Sequence, residues 1–190
     1  MRRSAILVGL ALVLLGCAAD DPYFDVRLSS LNGGAPLLAD LQRYDKQLQV
    51  FFIPEDVAIA AFTSKVRGDF VVTEPRTFLD DFQLQRYTVR WRFAGGTPNP
   101  IFSGFDYSSF NFEAATAAIV PVNTTTEVGV LVAPAAMKTE EPFATALVTG
   151  AEILLIADID FYGVRALVPE GEIHLQASLS VNFADFADEN

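Results

Sequence analysis

From Glu172 to Phe183 the chain alternates strictly between apolar and polar positions. Ile173, Leu175, Ala177, Leu179, Val181 and Phe183 share one face; Glu172, His174, Gln176, Ser178, Ser180 and Asn182 share the other. A period of two held over such a length predicts a strand with one face in a core and one in water. Tyr87 to Phe93 repeats the pattern, with Tyr87, Val89, Trp91 and Phe93 set against Thr88, Arg90 and Arg92. Trp91 therefore belongs to a core face. Ala151 to Phe161 is more apolar, but Ala151, Ile153, Leu155, Ala157, Ile159 and Phe161 again lie opposite Glu152, Asp158 and Asp160.

Weaker strands are predicted at Phe24 to Ser30, Leu48 to Ile53, Asp56 to Val66, Ala118 to Val122 and Glu127 to Val132. Turn-forming clusters punctuate them: Asn32-Gly33-Gly34, Pro54-Glu55-Asp56, the Gly95 to Pro100 stretch, Asn123-Thr124 and Pro169-Glu170-Gly171. Only Pro36 to Leu41 and Glu140 to Leu147 offer a helical turn or two. Seven or eight short strands with this punctuation predict an all-β fold, an immunoglobulin-like antiparallel β-sandwich, with a closed β-barrel as the alternative.

The N-terminus follows a different pattern. Arg2 and Arg3 precede an unbroken apolar run from Ala5 to Leu15. That run has the length of a signal-peptide core. It falls short of the about 20 residues needed to cross a ~30 Å hydrocarbon layer. The run ends in Leu14-Leu15-Gly16-Cys17, which resembles the bacterial lipobox, with Leu three positions before the Cys and a small residue just before it. Leu15 departs from the small residue usual at the middle position. The resemblance implies diacylglycerol on the Cys17 sulfur, cleavage before Cys17 and acylation of the new amino group. Several acyl chains such as palmitate anchor a protein stably where one does not. Ala18 follows the Cys where Asp would signal inner-membrane retention, which points to the outer membrane.

Residues 1–16 are thus expected to be a lipoprotein signal peptide, 17–22 the lipidated Cys and a short tether, and 23–190 one domain. Loss of Arg2 and Arg3 takes the net charge from −11 to about −13, a surface that repels nucleic acid. Cys17 is the only cysteine, so no internal disulfide can form and stability must come from packing. Half of the residues are apolar, which suits a packed core rather than disorder.

Tyr87-Thr-Val-Arg-Trp91, Asp160-Phe-Tyr-Gly163 and Val181-Asn-Phe-Ala-Asp-Phe186, behind a lipobox, together resemble a group of uncharacterised bacterial lipoproteins with a single immunoglobulin-like β-sandwich domain. The resemblance implies a fold and a location. It brings no catalytic residues with it.

Candidate chemistry is sparse. The sequence has no Gly-x-Ser-x-Gly elbow, no His-Glu-x-x-His helix and no phosphate-cradling Gly loop. His174, the only histidine, falls on the polar face of its strand and reads as a solvated residue. Asp80-Asp81 and Asp158-x-Asp160 have the oxygen chemistry of Ca²⁺ ligands, but a solvated acidic face explains them as well, and no metal or cofactor is expected. Phe102, Phe105, Tyr107, Phe110 and Phe112 crowd together beside the Gly- and Pro-rich loop. Exposed, Phe105 and Tyr107 would mark a partner-binding surface; buried, they would fill the end of the core.

The expected function is that of a non-catalytic interaction or structural module, lipid-anchored in the cell envelope, with an unknown envelope protein as partner. The alternative is a carbohydrate-binding or weakly hydrolytic surface protein that uses the aromatics and acids around the Ala94 to Ser109 loop.

Overall fold

The computed structural model describes residues 24–67, 80–94, 100–165 and 168–186. Cys17 with its tether, and residues 95–99 of the aromatic loop, lie outside them. Among the described residues the strands are β1 (Phe24–Leu31), β2 (Leu37–Asp40), β3 (Arg43–Asp45), β4 (Val50–Phe52), β5 (Asp56–Val66), β6 (Phe82–Phe93), β7 (Phe112–Val120), β8 (Thr124–Ala133), β9 (Ile153–Arg165) and β10 (Val168–Ala184). Short helices α1 (Pro100–Ser103), α2 (Ala135–Lys138) and α3 (Phe143–Thr149) occupy the connections.

Two sheets face each other, one ordered β1-β5-β8 and the other β2-β10-β9-β6-β7, while β3 and β4 form a separate hairpin. No strand ladder joins the two sheets among the described residues, so the architecture is an all-β sandwich and not a closed barrel. The inward residues of both sheets make one core. Phe62 of β5 meets Phe161 of β9 edge-on at 5.1 Å, and Trp91 of β6 lies 5.6 Å from Phe183 of β10. The Tyr87 hydroxyl reaches across to β8, donating to the Leu131 carbonyl and accepting from its N–H. Such pairing satisfies a phenol that would otherwise be costly to bury.

The three strongly patterned segments form β10, β6 and β9, with the predicted faces inward. Two expectations change. Pro36 to Leu41 is not helical: Leu37, Ala39 and Leu41 are buried at alternate positions, and Leu37–Asp40 is strand β2. The larger sheet is also not wholly antiparallel, because β2 pairs with β10 in parallel. The chain leaves β1 in one sheet and enters β2 in the other without reversing direction, and that sets the parallel edge.

Gly163 shows why one position of β9 carries no side chain. A Cβ there would sit 2.4 Å from the Phe82 ring and 2.5 Å from the Gln83 carbonyl. Asn123, at φ 60° in the turn between β7 and β8, takes a left-handed conformation that Asn tolerates well. Its side chain also accepts the Val66 N–H.

Strand register defines two ends. Phe24 pairs with Val66, and Phe82 with both Val120 and Arg165, at the N-terminal end. Asp56 pairs with Ala133, and Ile153 with Phe183, at the far end. The β3–β4 hairpin and all three helices belong to the far end.

Candidate functional site

Two regions carry the candidate residues. The first is the outer polar face of β6, β9 and β10. The alternation that buries Phe161 turns Asp158, Asp160 and Tyr162 outward, between arginines on β6 and polar residues on β10. Asp160 is nevertheless buried, covered by the side chains it binds. One of its oxygens accepts from His174 Nε2 at 2.8 Å and Gln176 Nε2 at 2.6 Å; the other accepts from Arg90 at 2.5 Å and the Thr88 hydroxyl at 3.4 Å. Burial alone would raise its pKa, but the bonds from His174 and Gln176 and the charge of Arg90 hold it below the usual carboxylate range. Asp158 is lowered chiefly by its bond from Arg92 at 2.6 Å, with Ser178 adding a second donor.

His174 is therefore more than a solvated residue. Its ring stacks on Tyr162 at 4.7 Å, and the Arg86 guanidinium lies over the same tyrosine at 3.9 Å. A catalytic dyad would also need a nucleophile, yet the Thr88 hydroxyl is given to Asp160 and not to the imidazole. The face is a shallow hollow of about 280 Å³ lined by Arg90, Asp158, Asp160, Gln176 and Ser178. Its carboxylates are turned toward arginines, so their oxygens are not arranged around a cation. Asp81 likewise spends an oxygen on the Val122 N–H. Among the described residues no group of three or more His, Cys, Asp or Glu side chains is placed to hold a metal ion.

The second region is the far end. Tyr107 is 3 % exposed, donates its hydroxyl to the Phe102 carbonyl at 2.9 Å, and has its pKa pushed up to about 12 by burial. It is a core residue and leaves the set of surface candidates. Phe105 is half-buried and packs on Tyr107 and Phe110. With Phe110, Phe112, Pro134 and Met137 it lines a groove of about 700 Å³ whose polar margin includes Glu140 and Glu141. Both glutamates are exposed.

The same end carries the β3–β4 hairpin. Leu48 is 71 % and Phe51 64 % exposed, and Val50 and Phe52 are exposed as well. Phe51 leans on Tyr44 at 4.9 Å. Lys138 holds the base. Its buried ammonium donates to the carbonyls of Asp40 and Pro54, each at 2.7 Å, and pairs with Asp56. Both ends of the hairpin excursion are thus tied to α2. Burial pushes Lys138 down and Asp56 up, and each charge opposes that shift in the other.

The hairpin was readable only as a weak strand. The overlooked signal is Val50-Phe51-Phe52-Ile53, a run of consecutive apolar residues that no strand can bury on a single face. Of the ten large apolar side chains exposed among the described residues, only Ile119 lies toward the N-terminal end. No helix among the described residues is long and apolar enough to cross a membrane. Comparison with known proteins finds no family model, no curated protein and no solved structure that matches the chain.

Proposed function

We propose that this chain is a non-catalytic interaction module, lipid-anchored through Cys17 in the bacterial cell envelope, that meets a protein partner with its far end. The observation that carries the reading is the polarity of the surface: exposed apolar groups gather at the end opposite Phe24, where the chain emerges from the tether. Apolar area of this kind is costly to leave in water unless something covers it. An anchor at the N-terminal end would turn that area away from the membrane and toward partners. The lipobox resemblance and Ala18 support an outer-membrane location.

We read the connectivity as immunoglobulin-like. The first strand divides between the sheets as β1 and β2, and the buried Trp91 lies on β6, an interior strand of the larger sheet. Sugar binding is the second reading, favoured by rings and acids around one groove. Against it, Phe105 and Phe110 stack on each other at 6.1 Å, and Phe110 also packs on Phe143 at 5.4 Å. Their faces are engaged where a sugar would need them open.

The test has two arms in intact cells. Replacing Cys17 with Ser should abolish palmitate labelling. Replacing Phe51 and Phe52 with Ser should lower capture of the partner while the melting temperature holds. Label persisting in the first variant removes the anchor from the reading, and undiminished capture in the second removes the hairpin.

A further inference from the structure

We infer that the outer face of β6, β9 and β10 binds a neutral sugar unit in the hollow between Arg90 and Ser178. The hollow shares no residue with the far-end groove, and the inference stands apart from the reading of that end. Strand register explains why the space is there. Arg90, Asp158 and Ser178 lie opposite one another in one row across the three strands, and Thr88, Asp160 and Gln176 form the next. Arg90 does not stay in its own row: its guanidinium crosses to Asp160 at 2.5 Å. Arg92 likewise leaves the row of Ile156 and reaches Asp158 at 2.6 Å. With Arg90 drawn aside and only a serine opposite, a hollow of about 280 Å³ opens over Asp158.

The polar groups around this hollow are held in place but not used up. Asp160, itself buried, accepts from four donors, as many as its lone pairs allow. It fixes Arg90 and Gln176 before any ligand arrives, and such preorganisation lowers the cost of binding. Arg90 spends one of its N–H groups on Asp160, Arg92 spends two on Asp158, and both guanidiniums keep others to give. Both side chains are more than half exposed. On the acceptor side, the Gln176 carbonyl and the Ser178 oxygen accept no bond among the described residues. Asp158, with three donors, has room for one more. Spare donors and spare acceptors therefore face one space. The charges of Arg90 and Arg92 cancel those of Asp158 and Asp160, which selects against an ion of either sign. A hydroxyl both donates and accepts, and a sugar ring carries several at fixed spacing, so a neutral sugar uses both kinds of group. Ile156, half-buried and the next outward residue of β9, offers an apolar edge to the C–H face of the ring.

The experiment is an amide NMR titration of the purified full chain in a detergent without a sugar headgroup. The probes are cellotetraose, maltotetraose and chitotetraose, each to about 20 mM, with tetragalacturonate as the anionic counterpart. At least one neutral tetrasaccharide should shift the amides of Asp158, Gln176 and Ser178. A dissociation constant on the order of 1 mM is expected, as suits a shallow site with no ring to stack on. Ser178→Phe fills the hollow and should weaken binding about tenfold or more. Arg90→Lys leaves a charge for Asp160 but gives up the fork, and should weaken binding about threefold or more. Both positions are exposed, and circular dichroism melts check that each variant folds. Phe51→Ser, at the far end, should leave the titration unchanged, so the result for this site is distinct from that for the interaction face. The inference is overturned if no neutral sugar shifts these amides, if neither hollow variant weakens the binding, or if tetragalacturonate alone binds.

Discussion

Trp91 and Phe183 pack at 5.6 Å within the core, where alternation along β6 and β10 had already set both residues inward. Trp91→Ala removes that contact and leaves a cavity, and it should lower stability by ~3–5 kcal/mol in urea unfolding. A near-neutral value would contradict the assigned face. Asp160 makes a different kind of prediction. Its folded pKa lies below the ordinary value, so its bonds to His174, Gln176 and Arg90 stabilise the fold above about pH 4, the unfolded carboxylate range. That contribution fades as pH falls through the lower folded value. Asp160→Asn should therefore be less stable than the native chain at pH 7, with the gap narrowing in acid. A gap that stays constant with pH would rule this out. The sequence places His174 and Asp160 on one polar face but does not show that they touch. Their contact depends on the register of β9 against β10, with Gln176 directly opposite Asp160 and His174 two residue pairs away, on the same face.

Strands that bury one face were legible because burial enforces the period of two, and β6, β9 and β10 follow from it. Strand β2 was not legible. It has only four residues, and Pro36 ahead of it suits a helical start as well as a strand edge. Parallel pairing to β10 decides the matter, and that is a contact across more than 140 residues. The early part of β7 was hidden for another reason: Phe112 read as one more ring of the aromatic cluster. At the hairpin, local pattern gives little and tertiary contact gives much. Lys138 fastens the excursion by three bonds, all to groups distant in sequence. Lys138→Met should cost about 3–5 kcal/mol, since Asp56 is left buried and charged without its partner. Adding Asp56→Leu should recover much of that loss. If the double variant is as unstable as the single one, the ion pair is not what holds the base.

At the scale of the whole molecule, the sandwich has unlike ends. The N-terminal end receives the chain at Phe24 and exposes little large apolar surface among the described residues; the far end carries the hairpin, the groove and the short helices. Composition hinted at an aromatic cluster but could not divide it. Tyr107 and Phe102 went to the core, while Phe105 and Phe110 went to the groove wall. Each ring's fate depends on where β6, β7 and α3 end, which no local pattern records. The account's central claim is that partners meet the far end. Its most direct test places a photocrosslinking amino acid at Phe51 or at Ile119, exposed residues at opposite ends, and compares the protein adducts formed in intact cells. The account predicts adducts from Phe51 and few or none from Ile119. Equal yields, or adducts from Ile119 alone, would contradict it.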